Sequence, residues 1–462
     1  MRYSMTFTEE QFDALIAHLF TEFSTVERAA YLLCGLGQTA NETRLLVRQV
    51  IPIADSVLLA QTETAFTIPS RSFLPVLKIA DQQSACFVLV HSHPPEIPNH
   101  SLQDDREERK LFATAYNRVA GPSKVHASLV LSAPTLPRGR VWLDGGATSP
   151  IDVIRVIGRR FRFFLRTPPT AIDISPYDRQ VRAFGSDLMP LLKTLTVGIV
   201  GAGGTGSSVT EQLIRLGVKR LIIADGQKLE RSNVSRVYGS SVNDVGLSKA
   251  TVLAHLADRI GLGTEVAVID KPVTYRSVLE RFRDCDVIFG CSDDEWGRSL
   301  LCRFALQYSV PVFDLGVKLD SDGGVVRSIV GRVTLLMPGT RCLFCRGHIS
   351  PEVVSAEIAE QLSPGEAARL REQGYIRELP GTEPSVVAFT TATAAFAIAE
   401  FLDRIAGYKP EDQNFGEIVV RFDGTVIRKP GHISSDSCFC TDHSIVGRGD
   451  QDRFLDQTWR PE

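Results

Sequence analysis

The stretch Val197-Gly198-Ile199-Val200-Gly201-Ala202-Gly203-Gly204-Thr205-Gly206-Ser207 decides how this chain folds. Its apolar first part is typical of a buried strand, and the glycines after it allow a tight turn close to phosphate oxygens at the start of a helix. The pattern predicts a nucleotide site, although its spacing suits a dinucleotide as well as ATP. The candidate contacts are Gly201, Gly203, Gly204 and Gly206.

Strands and helices alternate on both sides of this turn, from Thr196 to Leu315. Such alternation predicts a Rossmann-like, doubly wound α/β sheet that binds its ligand at the carboxyl ends of the strands. Asp225 ends the second strand, where a carboxylate can bond a ribose hydroxyl. Dinucleotides and ATP both satisfy this much, so other residues must discriminate between them.

The composition of the whole chain limits the classes of partner that we expect it to bind. It has 462 residues, which predicts two or three domains, and 51 basic and 54 acidic residues give it a net charge of −3. This balance gives no reason to expect nucleic acid as the main partner. The sequence has neither a signal peptide nor an apolar stretch of membrane-spanning length, so we expect a cytoplasmic protein without a membrane partner.

The first third of the chain contains a set of possible metal ligands. His91 and His93 lie at the end of an apolar strand, and Asp104 lies on the next predicted helix. Two imidazoles and a carboxylate can hold zinc and leave one position open for water, which is typical of a catalytic site.

This part of the chain resembles the JAMM (JAB/MPN+) metallopeptidases. Their signature is an upstream glutamate, then His-x-His, seven residues, Ser, two residues and Asp, and the chain has Glu27, His91, His93, Ser101 and Asp104 in these places. The resemblance implies a cytidine-deaminase-like α/β domain with a catalytic zinc. It implies that Glu27 is the base for the zinc-bound water and that Ser101 stabilises the oxyanion. Relatives cleave after the C-terminal glycine of ubiquitin-like proteins.

Prolines between residues 150 and 176 favour extended or turn structure and mark a boundary. A basic, aromatic run from Arg159 to Phe164 lies there, and we interpret it as an edge strand or short helix, with a nucleic-acid patch as the alternative. The expected segments are a metallopeptidase-like domain at 1–146, a linker at 147–175, an adenylation domain at 176–445 and a tail at 446–462.

The C-terminal part resembles the ThiF/MoeB superfamily, which includes the ubiquitin-activating enzymes. Five motifs occur in the family's order, although Val237 stands where Gln is usual and Asp294 where Asn is usual. The motifs are Tyr177-Asp178-Arg179-Gln180, the glycine loop, Asp225 with Glu230, Asn233 and Arg236, Gly246-Leu247-Ser248-Lys249, and Cys291-Ser292-Asp293-Asp294 with Arg298.

This second resemblance implies that the chain uses ATP and magnesium to adenylate the C-terminal carboxylate of a ubiquitin-like protein. An NAD dehydrogenase would have no use for the cations of these motifs. Taken singly, Lys249 could be a solvated residue and Arg298 could be a partner in a helix-capping ion pair. The implied contacts are Asp225 to the ribose, Asn233 to the phosphate region, Arg236 and Lys249 to phosphates, Asp293 to magnesium, and Arg179 to the ATP site of the partner in a homodimer.

Four of the nine cysteines form two pairs in the sequence. Cys342 and Cys345 match the family's first zinc knuckle, whereas Cys438 and Cys440 have one intervening residue instead of the usual two. We expect the four thiolates to form one closed structural zinc site, with free buried thiols as the alternative.

The chain has no cysteine from Arg346 to Asp436, where ubiquitin-activating enzymes carry the one that accepts the acyl group. We expect the adenylate to pass to a cysteine of a separate conjugating or sulfur-transfer protein. The segment from Ser350 to Gly374 is predicted to be the crossover loop over the bound tail. The alternative acceptors are a hydroxyl such as Ser350, Ser355 or Ser363, and the Cys302 thiol.

Together the two resemblances imply a fusion that processes and activates the same kind of C-terminal tail. Such fusions resemble components of bacterial ubiquitin-like conjugation operons, some of them linked to antiphage defence. Two alternatives stay open: activation of a sulfur carrier for thiocarboxylate-dependent biosynthesis, and a scaffold that binds ubiquitin-like partners without turnover.

Overall fold

The chain forms two compact units in a computed structural model. The first unit contains Met1–Pro168, Gln307–Ser309 and Ser444–Arg453, and the second contains Pro169–Leu306, Val310–His443 and Phe454–Glu462. Among the described residues, no helix is long and apolar enough to cross a membrane. The structure describes residues 1–21, 26–62, 66–120, 125–167, 173–372, 384–410, 416–424, 426–428, 438–450 and 454–462.

The first unit contains eleven strands, three α-helices and a short 3-10 helix, Asp55–Val57, among its described residues. The strands are β1 (Arg2–Thr8), β2 (Ala29–Gln38), β3 (Glu42–Pro52), β4 (Ala60–Gln61), β5 (Phe66–Thr67), β6 (Cys86–Ser92), β7 (His126–Leu131), β8 (Pro137–Trp142), β9 (Thr148–Pro150), β10 (Val153–Ile157) and β11 (Arg162–Leu165). The helices are α1 (Glu9–Leu19), α2 (Ser70–Gln82) and α3 (Leu102–Arg118).

Nine of these strands form one mixed sheet in the order β11-β10-β1-β3-β2-β6-β7-β8-β9, and β4 pairs with β5 separately. Alternate residues of β2 enter two different apolar cores. Leu32 packs with Phe12 of α1, whereas Leu33 packs with Leu77 of α2 and Phe112 of α3. The sheet is therefore covered by helices on both faces, which explains why its central strands are apolar throughout.

Three strands lie within residues 147–175, where the prolines predicted a linker. β10 is buried along its length and pairs in parallel with β1, and β11 is the edge strand formed by part of the basic, aromatic run. Pro150 ends β9 at the opposite edge of the sheet, a position where a missing N–H group is tolerated. Residues 168–172 of the expected linker lie outside the described residues.

The second unit contains a second sheet and most of the helices. Its strands are β12 (Thr196–Val200), β13 (Arg220–Ala224), β14 (Glu265–Ile269), β15 (Val287–Gly290), β16 (Val312–Asp322), β17 (Val325–Leu336), β18 (Glu417–Arg421) and β19 (Val426–Arg428). Its helices are α4 (Asp178–Phe184), α5 (Leu188–Leu192), α6 (Gly204–Leu216), α7 (Lys249–Ile260), α8 (Arg276–Arg281), α9 (Glu295–Gln307), α10 (Pro351–Leu362), α11 (Pro364–Glu372) and α12 (Val387–Ala406).

The sheet of the second unit has the order β14-β13-β12-β15-β16-β17-β18-β19. The first five strands are parallel, and the last three continue the sheet with antiparallel pairing. The strand predicted to end at Leu315 continues to Asp322 and forms a hairpin with β17, which the sequence did not predict. The added part of β16 is largely exposed and carries charged residues, so it lacks the apolar run that indicated the other strands.

Asp314 of β16 holds two arginines in the core of the second unit. Arg298 donates from Nε and Nη2 to its two carboxylate oxygens at 3.0 and 2.9 Å, and Nη2 of Arg332 lies 2.9 Å from Oδ2. Burial opposes ionisation of Asp314, but the two arginines outweigh it and lower its pKa. Arg298 is therefore part of a buried ion pair that joins α9 to β16, whereas Asp294 and not Arg298 caps the start of α9.

Asp314→Ala would leave two buried guanidinium groups without their shared counterion. We expect the free energy of unfolding to fall by about 3–5 kcal/mol, measured by urea denaturation. The control is Asp322→Ala in the same strand, since Asp322 pairs with Arg327 in water and should contribute nothing measurable. Equal losses in the two variants would contradict a special role for the buried group.

Candidate functional site

The glycine loop connects the end of β12 to the start of α6 and leaves little room for side chains. Gly201 has a φ of +92°, and a Cβ atom there would lie 2.8 Å from the backbone of Cys291. A Cβ atom on Gly206 would lie 1.8 Å from the carbonyl oxygen of Gly201. Both positions require glycine, because any side chain would clash with backbone that cannot move aside.

The other two glycines form the open side of the loop. Gly203 is the N-cap of α6, and a Cβ atom there would meet nothing within 4 Å. A Cβ atom on Gly204 would lie 3.5 Å from Cδ of Arg236, so this half-buried arginine lies beside the first turn of α6. An uncovered helix N-terminus next to a guanidinium group is an arrangement that attracts an anion.

Asp225 connects the loops after β12 and β13. Its Oδ2 accepts a hydrogen bond from the Ala202 N–H at 2.6 Å, and its Oδ1 accepts one from the Gln227 N–H at 2.7 Å. Burial raises the pKa of Asp225, while these two hydrogen bonds and the charge of Lys249 oppose that rise. The carboxylate thus holds the backbone of the glycine loop in place at the position predicted for a ribose.

Lys249 is the first residue of α7 and is only 7% exposed. Its ammonium donates to Oε1 of Gln227 at 2.6 Å, and no carboxylate among the described residues forms an ion pair with it. A buried cation whose direct partner is a neutral amide is costly. The Asp225 carboxylate acts on Lys249 only at longer range, so a bound anion such as a phosphate would be the first charged group in direct contact with the ammonium.

Asp293 and Asn233 lie in the loops after β15 and β13. Asp293 is exposed, and its charge acts on the pKa of Asp225, so the two carboxylates lie near one another. Asn233 is buried, and its Oδ1 accepts a hydrogen bond from the Glu230 N–H at 3.1 Å, which shapes the turn before Arg236. Exposed carboxylate oxygens beside a phosphate site are suitable ligands for Mg²⁺.

Asp294 has a structural contact of its own. Its Oδ2 accepts a hydrogen bond from the Gly297 N–H at 2.6 Å and so caps the start of α9. Arg179 lies on α4 with an exposed side chain, and the described contacts do not connect it to the glycine loop. The role predicted for Arg179 depends on a second copy of the chain.

The histidine cluster of the first unit brings three ligand side chains together. Nε2 of His91 lies 2.9 Å from Nε2 of His93, and both nitrogens lie 3.3 Å from oxygens of Asp104. Nδ1 of His93 lies 3.0 Å from the carbonyl oxygen of Ile97, a pairing in which Nδ1 donates and Nε2 is left free to bind a metal. Three convergent donors of these types fit a zinc ion with one open position.

Glu27 and Ser101 flank this cluster. Oε1 of Glu27 lies 3.8 Å from Nε2 of His93, and burial raises the pKa of Glu27 to about 6. Ser101 is the N-cap of α3, where its Oγ accepts a hydrogen bond from the Asp104 N–H and its own N–H donates to Oδ2 of Asp104 at 2.6 Å. Ser101 therefore positions a predicted ligand in addition to any role of its hydroxyl proton.

The four cysteines predicted to bind zinc meet in the second unit. Sγ of Cys342 lies 3.5 Å from Sγ of Cys438, and Sγ of Cys345 lies 3.6 Å from Sγ of Cys440. All four sulfur atoms lie within 4.8 Å of one another. Tetrahedral zinc with bonds of about 2.3 Å would hold its sulfurs about 3.8 Å apart, so the cluster fits a closed structural site.

The alternative acyl acceptors lie in different surroundings. Cys302 is 1% exposed, and burial raises the pKa of its thiol to about 12, which makes it a poor nucleophile. Ser350 caps α10 through its Oγ and donates its N–H to Glu295 at 2.7 Å, whereas Ser355 is exposed on α10. Part of the predicted crossover segment, residues 373 and 374, lies outside the described residues.

Sequence reasoning missed two side chains, one that holds Lys249 and one that caps the helix after Asp293 and Asp294. Gln227 supplies the oxygen that holds Lys249, and Glu357 of α10 accepts hydrogen bonds from the N–H groups of Glu295 and Trp296 at the start of α9. Burial raises the pKa of Glu357 to about 7. No sequence signal marks either residue, because each contacts a partner far away in the chain. Gln227 lies 22 positions from Lys249, and Glu357 lies 62 positions from Glu295.

Comparison with known proteins gives the second unit a family. The chicken (Gallus gallus) ubiquitin-like modifier-activating enzyme 5 is 26% identical over 209 residues, which cover 42% of this chain and 50% of that protein. The SAMP-activating enzyme E1 of Haloferax volcanii is 27% identical over 260 residues, which cover 54% of this chain and 88% of that protein. The chain thus spans about half the length of the chicken protein.

Among solved structures, Escherichia coli MccB with ATP is 19% identical over 58% of this chain and 74% of that chain, with a TM-score of 0.44. The model of the ThiF family matches residues 177–428, more than half of the chain and the region that contains all five motifs. This match confirms the prediction made from those motifs, whereas the resemblance of residues 1–146 to metallopeptidases stays a prediction. The chain belongs to the ThiF family.

Proposed function

We propose that this chain uses ATP to adenylate the C-terminal carboxylate of a small ubiquitin-like protein. The observation that carries the proposal is the buried Lys249 ammonium, which lacks an acidic partner among the described residues and lies beside the glycine loop. The names of the chicken and Haloferax relatives, both activating enzymes, support the same activity. Anion binding alone would not require this combination of loop, cation and carboxylates.

In this reaction a carboxylate oxygen attacks the α-phosphate of ATP. The new bond joins that oxygen to phosphorus, the bond from the α-phosphorus to the bridging oxygen breaks, and pyrophosphate leaves with the bond's electron pair. Lys249 and Arg236 balance charge on the phosphates, and the N–H groups at the start of α6 orient them. Asp225 keeps the loop in position through its two backbone hydrogen bonds and presents its remaining lone pairs to the ribose.

Asp293 would hold magnesium at this site. A bound magnesium ion neutralises charge on the phosphates and helps pyrophosphate to leave. Asn233 supports the phosphate region by fixing the turn that carries Arg236. In our proposal Arg179 enters the ATP site of a second copy of the chain, so a homodimer is the active form.

A second activity is proposed for the first unit because three side chains that could hold a metal ion converge there beside the carboxylate of Glu27. We propose zinc-dependent hydrolysis of the peptide or isopeptide bond after the C-terminal glycine of the same ubiquitin-like protein. His91, His93 and Asp104 would hold zinc, and a bound zinc ion makes water acidic enough to attack at neutral pH. Glu27 would accept the proton of that water, and Ser101 would donate to the developing oxyanion.

The fate of the adenylate separates two versions of this proposal. The burial of Cys302 argues against an internal thiol and so favours a separate acceptor protein, which in the first version is the cysteine of a conjugating protein. Transfer to a sulfur-transfer protein for thiocarboxylate synthesis is the alternative. A thioester on a partner protein would identify the first version and a thiocarboxylate tail the second, whereas absence of both adenylation and hydrolysis would leave a binding scaffold.

Lys249→Ala should lower ATP–pyrophosphate exchange by about 100-fold, because it removes a preorganised cation from the phosphate site. Asp293→Ala should do the same if that carboxylate holds magnesium. The measurement is incorporation of labelled pyrophosphate into ATP in the presence of the ubiquitin-like protein. Lys219→Ala is the matched control, since this lysine pairs with Glu265 on the surface of the same unit, and it should leave exchange unchanged.

Zinc content should distinguish the two clusters. Cys342→Ser combined with Cys440→Ser should remove one zinc ion from the purified full chain and lower its thermal stability, because a closed thiolate site contributes folding energy. His91→Ala combined with His93→Ala should also remove one zinc ion but leave pyrophosphate exchange intact. His255→Ala, an exposed histidine outside both clusters, is the control for mass-spectrometric metal analysis. Unchanged zinc in either double variant would show that its cluster is not a zinc site.

Glu27→Gln should abolish hydrolysis while zinc stays bound, because the amide cannot accept a proton from water. The measurement pairs cleavage of a fusion that extends beyond the C-terminal glycine with the zinc content of the same sample. Glu9→Gln, which changes a carboxylate of α1 outside the cluster, is the control. Cleavage by Glu27→Gln at the wild-type rate would exclude this residue as the base.

A further inference from the structure

The first unit has a pocket of about 360 Å³ next to the histidine cluster. Its walls come from β8, β9 and the end of β11, and its floor includes the apolar side chains of Ile151, Ile154 and Phe164. None of the described residues that line it is acidic, and three are arginines: Arg138, Arg140 and Arg166. His100 also lines the pocket, but burial and the nearby Arg140 hold its pKa well below the usual range, so it adds no charge.

The three arginines differ in whether a carboxylate of the described residues pairs with them. Arg140 pairs with Asp105 and, at 2.9 Å, with Glu108, so its charge is balanced inside the protein. Among the described residues, Arg138 has the carbonyl oxygen of Pro137 as its one acceptor, at 3.4 Å, and Arg166 forms no ion pair. Within the described part of the chain, the pocket therefore presents two guanidinium groups without counterions, the half-buried Arg138 and the exposed Arg166. Each can bind a carboxylate in bidentate fashion.

His100 lines the pocket and also lies beside His91 of the predicted zinc site. The His100 ring lies 6.5 Å from the ring of His91, centre to centre, and Asn99 and His100 belong to the segment between His93 and Ser101. A distance of 6.5 Å corresponds to about two residues of extended peptide. A peptide bound with its scissile bond at the histidine cluster would thus reach the wall of the pocket that His100 forms within about two residues.

We propose that the pocket binds a carboxylate within about two residues after the scissile bond of the substrate. This inference rests on the proposed hydrolytic function, in which the residues before the bond are glycines and have no side chain to offer. The carboxylate then belongs to the leaving part, either as an acidic side chain or as the C-terminus of a short extension. Substrates with such a carboxylate are selected over those with neutral or basic leaving parts.

The test measures binding apart from cleavage. Full-length Glu27→Gln protein loaded with zinc is titrated with fluorescent peptides, and the dissociation constant is read from anisotropy. The peptides are Gly-Gly-Ala-Asp amide, Gly-Gly-Ala-Asn amide and Gly-Gly-Ala-Asn with a free C-terminus. We expect the first or the third peptide to bind about tenfold more tightly than the neutral one, and the preferred peptide identifies the source of the carboxylate.

Variants assign this preference to the pocket. Arg138→Gln and Arg166→Gln should each remove most of the tenfold preference, whereas Arg71→Gln, an exposed arginine of α2 outside the pocket, should keep it. Thermal melts verify that each variant is folded. Equal binding of all three peptides would overturn the proposal, and so would a preference that survives both pocket variants.

Two further outcomes keep this proposal separate from the hydrolytic function. Pyrophosphate that binds in an Arg138-dependent manner, without discrimination among the peptides, would assign the pocket to inorganic anions and overturn the proposal. A wild-type chain that prefers the acidic peptide but cleaves none of the extended fusions would retain the pocket and refute the hydrolytic function instead.

Discussion

The nucleotide site depends on two hydrogen bonds that the Asp225 carboxylate accepts from the backbone. The carboxylate accepts them from the N–H groups of Ala202 and Gln227, and so it fixes the backbone after β12 relative to the backbone after β13. Gln227 in turn holds the ammonium of Lys249 at the start of α7. Glycine loop, carboxylate and cation are thus parts of one hydrogen-bonded assembly, which explains how a buried lysine can be kept ready for an anion.

The two candidate metal clusters differ in a way that fits different tasks. The four cysteines provide a complete tetrahedral set at sulfur–sulfur distances of 3.5 and 3.6 Å, and this leaves no position for a substrate. The histidine cluster provides three ligands, with Glu27 beside them and its pKa raised by burial. A closed set is suited to holding structure, whereas an incomplete set beside a base is suited to activating water.

In our proposal the basic pocket would add selectivity to the hydrolysis proposed for the first unit. Arg140 is neutralised by two carboxylates of α3, so it serves the fold. Arg138 and Arg166 lack such partners among the described residues, and an unpaired guanidinium at a concave apolar surface is matched by a ligand carboxylate. The two units would then act on the same kind of protein tail: the first would recognise the residues beyond its terminal glycine, and the second would activate the tail itself.

The sequence by itself determined the elements whose signals are local. The apolar run ending in Gly201 predicted β12 and the start of α6, because a buried parallel strand and a glycine turn both leave a continuous pattern. Two clusters were likewise predicted from sequence spacing, and the fold places the members of each close together. They are His91 with His93 and Asp104, and the two cysteine pairs. The family motifs located the ThiF region, which the family model matches.

Only the tertiary structure decided contacts between distant segments. Arg298, a residue of the fifth motif, also forms a core ion pair, because Asp314 and Arg332 of two neighbouring strands lie beside it. Residues 148–165, which were predicted to be a linker, form strands of the first unit's sheet. Their place there depends on the parallel pairing of β10 with β1, which no local sequence pattern indicates. The sequence also did not predict the roles of Gln227 and Glu357 or the basic pocket. Whether a side chain has a hydrogen-bond partner or a counterion depends on the groups that pack against it and not on its neighbours in sequence.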